Sequence, residues 1–385
     1  MSIYFDHAAT TPLCDEAFAA MQPYLRENYG NPSSLHHMGK AAQFALDVVR
    51  EQVAQLLNAR PGEILLNSGA TEGSNHALKG AAWHRRERGR HIIVSKLEHD
   101  AVTYPLEALE NEGFEITRVD VERDGIIDPD RIKSTFRDDT ILVSVMHANN
   151  ELGTLQPIRE IGAMCRERKI LFHCDAVQTV GHIPVDVREM NVDLLTLSAH
   201  KFYGPKGAGA LFIRRGARIT TLIDGGHQQK GRRGGTENVP GLVGMGVAAE
   251  VSAKAITNGE ENAVAVLRDQ LIAGIEANVD GAYLNGHRTN RIPGVVNFSF
   301  DGIEGEGLIL EMDAKAGVCL STGSACAAGS LDPSPVLLAI GLPNGLARAG
   351  TRFSLGRDNT KEEVDSVVHL LPEVLSSLRA LLPQG

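Results

Sequence analysis

Between residues 63 and 213 the chain alternates short apolar runs with amphipathic stretches. EILLNS, HIIVS, EITRVDV, TILVSVM, ILFHCD, DLLTLS and ALFI read as strands, most of them separated by helical patterns such as 72–88 and 157–168. Several runs are apolar without alternation, as strands covered on both faces require. A rhythm of this kind predicts an α/β fold, a doubly wound and mainly parallel sheet sandwiched by helices. In such sheets ligands bind beyond the carboxyl ends of the strands, so the polar residues after each run are the candidates for chemistry.

Those residues are specific. In NSGATEGSN, Ser68 and Gly69 turn the chain while Ala70 and Thr71 open a helix with Glu72 in its first turn. Free backbone N–H groups and the helix dipole make such an end either an anion site or simply a capped helix. His99 lies between a strand and a helix, placed either to cap the helix or to cover a flat cofactor and exchange protons. Asn149, Asn150 and Glu151 follow TILVSVM, and Asp175 follows ILFHC with Gln178 close behind. An aspartate there either caps the next helix or holds a protonated ring nitrogen. Finally, DLLTLSAHKFYGPKGAG delivers Ser198, His200 and Lys201 to a polar turn. A lysine desolvated in a pocket has a lowered pKa and a nucleophilic amine, as an imine with a carbonyl cofactor requires, and Ser198 and His200 are suited to an anionic group. Lys206 lies close by, and the chemistry of the segment alone does not choose between the two lysines.

At 385 residues the chain is long enough for two domains. Its net charge of −10 argues against a nucleic-acid partner, despite the basic, glycine-rich segment 225–238 and the cluster WHRRERGRH, read as the solvated end of a helix. No apolar run is expected to reach the roughly eighteen residues of a membrane span, and MSIYFDHAATTP lacks the features of a signal peptide. A cytoplasmic protein is expected. The five cysteines form no CxxC pair and have no histidine at zinc spacing, so neither a metal site nor a disulfide framework is expected. Cys165 and Cys174 read as buried, Cys319 as part of a strand, and Cys326 sits in STGSACAAGS, a composition suited to an exposed loop. Beyond about residue 258 a long helix, VVNFSF, a helix after EGEG, TRFSL and a last helix read as a smaller α+β domain.

ATTP, GNPSSLH, SGATE, EH before a helix, HANNE, CDAVQ, S-x-HK, GGHQQKGRRGGTEN, EGEGLIL, STGSAC and RFSLGR occur in this order over essentially the whole chain. With these segments the sequence resembles the cysteine desulfurases of the NifS/IscS kind, fold-type I enzymes dependent on pyridoxal 5'-phosphate. The resemblance implies a large domain over 14–257 and a small domain formed by 1–13 and 258–385, carrying a catalytic-cysteine loop at about 321–333. It favours Lys201 as the cofactor lysine and implies that Ala70, Thr71, Ser198 and His200 hold the phosphate. Asp175 would pair with the ring nitrogen, Gln178 with the phenolic oxygen, and His99 would stack on the ring as an acid/base. Asn150 and Arg352 would bind the substrate, and Cys326 would take its sulfur as a persulfide. Thr236 would reach the phosphate of the other subunit in a homodimer. L-cysteine is the implied substrate, with an iron–sulfur scaffold or another sulfur-acceptor protein as partner. Selenocysteine lyase or a related β-lyase, and a non-catalytic sulfur-trafficking protein, are the alternatives. In two places the chain departs from the family's habit: Pro335 stands where a histidine is common, and the start reads DHAATTP.

Overall fold

The computed structural model describes residues 2–323 and 332–381, so Cys326 lies outside the described residues. After a two-residue strand, β1 (Ile3–Tyr4), the seven apolar runs form β2 (Ile64–Asn67), β3 (His91–Ser95), β4 (Glu115–Val119), β5 (Thr140–Ser144), β6 (Leu171–Asp175), β7 (Leu194–Ser198) and β8 (Gly209–Ile213). They make one sheet in the order β2-β8-β7-β6-β5-β3-β4. The pairings from β4 through β7 are parallel, whereas β8 runs antiparallel to both β7 and β2. The cause is the connection. Parallel neighbours need a crossover of a dozen residues or more, and β7 is joined to β8 by 199–208 alone, so β8 must turn back. That short connection carries His200 and Lys201.

Alternate residues of the strands feed two cores. Ile64, Leu66, Leu195, Leu197, Ala210 and Phe212 face one; Leu65, Leu194, Leu211 and Ile213 face the other, with the apolar side of the helices Ala70–Arg85 and Asp100–Asn111. All residues of β2, β3, β5, β6, β7 and β8 are buried, while β4 at the edge is largely open to solvent. The helix Val239–Asn258 corrects one expectation, because by length and hydropathy it is apolar enough to cross a membrane. Its composition has another use here: more than half of the apolar window is buried, against the helices Asp15–Arg26 and His37–Leu56.

The remaining strands are β9 (Ala282–Asn285), β10 (Val295–Phe300), β11 (Val318–Cys319) and β12 (Gly350–Ser354). An antiparallel sheet β12-β10-β9 and the helices Glu260–Asn278, Gly305–Ala316 and Lys361–Leu381 enclose a third core, to which Phe5 contributes, and β1 pairs with β11. From β1 the chain runs on through residues 6–11 and binds the 200–203 turn, with the Thr11 N–H and hydroxyl both donating to the His200 carbonyl at 2.9 and 3.1 Å. The N-terminal segment thereby lies over the polar end of the main sheet.

Candidate active site

The first part of the site is a cradle for an anion. The helix Ala70–Arg85 starts at Gly69, whose φ of +149° is a conformation that side chains resist, and which offers no side-chain cap. The N–H groups of its first turn, at Ala70 and Thr71, are thus left for a ligand. A Cβ on Gly69 would stand 3.6 Å from the Ser198 Oγ, and one on Gly209 would stand 2.6 Å from the Gly69 Cα, so the end of β7 and the start of this helix close on each other. His200 holds the Thr10 hydroxyl at 3.2 Å through Nδ1, and burial, with Lys201 and Lys206 nearby, pushes its pKa down to about 4.

Beside the cradle, Lys201 donates to the carbonyls of Ala8 and Ala9 at 2.6 and 2.8 Å, and Gln178 donates to the same Ala8 carbonyl at 3.1 Å. Asp175 is buried at the end of β6 and accepts the Val177 N–H at 3.0 Å. Burial pushes its carboxyl up, while the Val177 N–H, His99 and Lys201 pull it down. His99 caps the helix Asp100–Asn111, its Nδ1 accepting from the Ala101 N–H at 3.0 Å. That bond leaves the proton of the neutral ring on Nε2.

On the other side stands Arg352, 2% exposed, which donates to the Asn150 carbonyl at 3.0 Å and to Asp6 at 2.8 Å. Its Nε, although buried, has no partner among the described residues. The Arg352 backbone also pairs with Ser321, its N–H reaching the Ser321 carbonyl at 2.6 Å. Glu151 links this corner to both borders of 324–331: it accepts from the Ser334 hydroxyl at 2.6 Å, and a Cβ on Gly323 would lie 2.9 Å from its Cγ. Ser334 caps the helix Pro335–Ala339, so Pro335 occupies the first helical position, where its fixed φ and missing N–H cost nothing.

Thr236 is exposed. Its loop is tied to the first turn of the helix Ala70–Arg85, because Arg233 grips Glu72 with two bonds, at 2.8 and 3.1 Å. Burial opposes ionisation of Glu72, but Arg233 and Ser68 outweigh it and hold the carboxyl below its usual range.

A family model described as Aminotransferase class-V matches residues 3–367. A cysteine desulfurase IscS from Dictyoglomus turgidum is 49% identical over 381 residues, covering 99% of this chain and 96% of that protein. The chain belongs to the class-V aminotransferases, in their cysteine desulfurase branch. Among solved structures, a NifS-like protein superposes with a TM-score of 0.92 at 36% identity, covering 98% of this chain and all of the other. SspA in complex with cysteine superposes with a TM-score of 0.82, also at 36% identity, covering 93% of this chain and all of the other.

Sequence reasoning passed over two contributions that this family member makes to its site. The segment 6–11 supplies Asp6 and the Ala8 and Ala9 carbonyls, but a carbonyl leaves no mark in a sequence. Glu98, beside His99, and Glu151, already noted at its strand end, prove to have buried carboxyl groups whose titration the sequence does not show. Burial pushes Glu98 up to about 8, opposed by the Met146 N–H and Ser95, and pushes Glu151 up to about 7, opposed by Ser334 and Arg352. Because both folded values lie above the ordinary 4.5, the unfolded chain sheds these protons first, and stability is lost as pH rises from about 5 through 8. Glu98→Gln and Glu151→Gln are each expected to gain stability relative to the parent at pH 8 but not at pH 5, as read by urea denaturation at both pH values. A gain of equal size at the two would contradict the assignment.

Proposed function

We propose that this chain takes the sulfur of L-cysteine, with pyridoxal phosphate as cofactor, releases L-alanine and holds the sulfur as a persulfide on Cys326 for transfer to an iron–sulfur scaffold or another acceptor protein. The observation that carries the reading is the convergence of Lys201 and Gln178 on one carbonyl, with His99 and Lys201 both in electrostatic reach of Asp175. The donor set fits the cofactor. The helix start at Ala70 and Thr71, with Ser198 and His200, suits the phosphate; Asp175, pushed up by burial, gains a cationic partner in a protonated ring nitrogen; Gln178 offers N–H groups to the phenolic oxygen. When bound, pyridoxal phosphate supplies an electron sink for the charge left at the substrate's α-carbon.

The chain's own residues account for the rest. Lys201 would hold the cofactor through Nζ and, once freed by the substrate amine, would take the α-proton there and later return it to the α-carbon. Arg352 meets the substrate carboxylate, its buried and unpartnered Nε being the available donor, and Asn150 lies alongside. His99 would stack on the cofactor ring, and the Ala101 N–H on its Nδ1 leaves Nε2 to give and receive a proton. The Cys326 thiolate attacks the substrate sulfur, so that an S–S bond forms as the Cβ–S bond breaks, and the electron pair left at Cβ is protonated to give alanine. Cysteine as substrate is supported by the SspA neighbour, described in complex with it. The division into 14–257 and the remainder, and a homodimer in which Thr236 reaches the second subunit's phosphate, belong to the same proposal.

Arg352→Lys loses the planar fork and is expected to raise KM for L-cysteine by about a hundredfold with a smaller change in kcat, read from initial rates. A KM within twofold of the parent would remove Arg352 from the carboxylate site. The reading as a whole is tested by mass spectrometry of the protein after exposure to L-cysteine without reductant: Cys326 should gain one sulfur atom. Alanine formation with Cys326 unmodified throughout would overturn it, and much faster turnover of L-selenocysteine than of L-cysteine would favour the selenocysteine lyase alternative.

A further inference from the structure

Behind the Lys201 turn, and outside the constellation just described, lies a group of polar side chains around the buried Glu261. His182 belongs to the segment that starts at Asp175 and carries Gln178. Its Nε2 stands 2.7 Å from the Lys201 backbone carbonyl, and its Nδ1 stands 3.3 Å from Glu261. A carbonyl only accepts, so Nε2 carries the proton and donates. Glu261, 6% exposed in the first turn of the helix Glu260–Asn278, accepts from the Arg357 Nε at 2.8 Å. Burial opposes its charge, but His182 and Arg357 overcome that and hold it ionised. Arg357 also donates to the Gly181 carbonyl at 3.0 Å and to Ser252 at 3.2 Å. Its guanidinium lies 4.5 Å from the Tyr203 ring centre, and its backbone N–H reaches the Tyr203 hydroxyl at 2.8 Å. Tyr203 needs this hold: it is buried with a φ of +65°, a strained conformation for a bulky residue that persists only where its surroundings impose it.

We infer that His182 is a positioning residue: it pins the backbone of Lys201 to the Glu261–Arg357 pair and so sets the separation between the cofactor-attaching amine and Asp175. The inference rests on the reading of Lys201 given above. Glu261 is buried and loses one of its two polar neighbours with His182, while the Lys201 carbonyl loses its donor, so loss of His182 disturbs the turn from both sides.

His182→Ala is expected to lower kcat about tenfold with KM for L-cysteine within about twofold, since a small misplacement of a reacting group acts on the chemical step. It is also expected to slow, by a similar factor, the rise of visible absorbance when pyridoxal phosphate is added to the apoprotein. His182→Lys, whose ammonium can donate to both the Lys201 carbonyl and Glu261, should restore both within about threefold. An unchanged kcat in His182→Ala, or a His182→Lys as impaired as the alanine variant, would overturn the inference. Lys201→Ala, run alongside, separates the two readings: if it still attaches cofactor, the Lys201 assignment fails, whatever the His182 variants do.

Discussion

Lys201→Ala will bind pyridoxal phosphate without covalent attachment and will lose at least about a thousandfold in kcat if, as proposed, the residue both attaches the cofactor and moves the α-proton. The structure gives different surroundings to the two lysines between which the chemistry of the segment alone did not choose. Lys201 lies in the turn after β7, half-buried, with Nζ on the Ala8 and Ala9 carbonyls, between the cradle and Asp175; Lys206 is exposed. The check is the visible absorbance of the purified variant, together with its release of alanine from L-cysteine. Retention of covalent attachment would transfer the role to Lys206.

Cys326→Ser will keep the cofactor and its visible absorbance but make alanine from L-cysteine at least about a hundredfold more slowly, since a serine hydroxyl cannot take up sulfur as a persulfide. Cys326 lies outside the described residues, and the case for it is strengthened by the four thiols that are described. Cys165 and Cys174 are fully buried, and burial raises both well above the usual thiol range. Burial also raises Cys14 and Cys319, aided at Cys319 by Asp313 and Asp6. None of the four is thereby favoured as a thiolate, the form that attacks sulfur. Wild-type rates in Cys326→Ser would exclude Cys326 as the acceptor.

The sheet was legible because its central strands, TILVS, LFHCD and LLTLS, are buried on both faces and show it by being apolar at nearly every position. Reversal of β8 was less so, since only the length of its connection to β7, not its composition, sets its direction. Residues at strand ends stood out because a polar side chain after an apolar run has few structural reasons to be there, and Asp175, Gln178, Ser198, His200 and Lys201 do come together. The charge states were hidden. Nothing in the sequence shows that the fold buries the carboxyls of Glu98 and Glu151, and His182 acquires its partners from two separate segments, around Lys201 and at Glu261. The apolar helix Val239–Asn258 shows the opposite limit, where composition alone does not tell a core helix from a membrane span.

In the proposed reaction the Cβ–S bond of L-cysteine breaks with sulfur going to the protein and the carbon skeleton leaving as alanine. Quantifying the products of the purified enzyme with L-cysteine and a thiol reductant tests it most directly. Alanine and sulfide in equal amounts are predicted; pyruvate and ammonia in place of alanine would show β-elimination and contradict it.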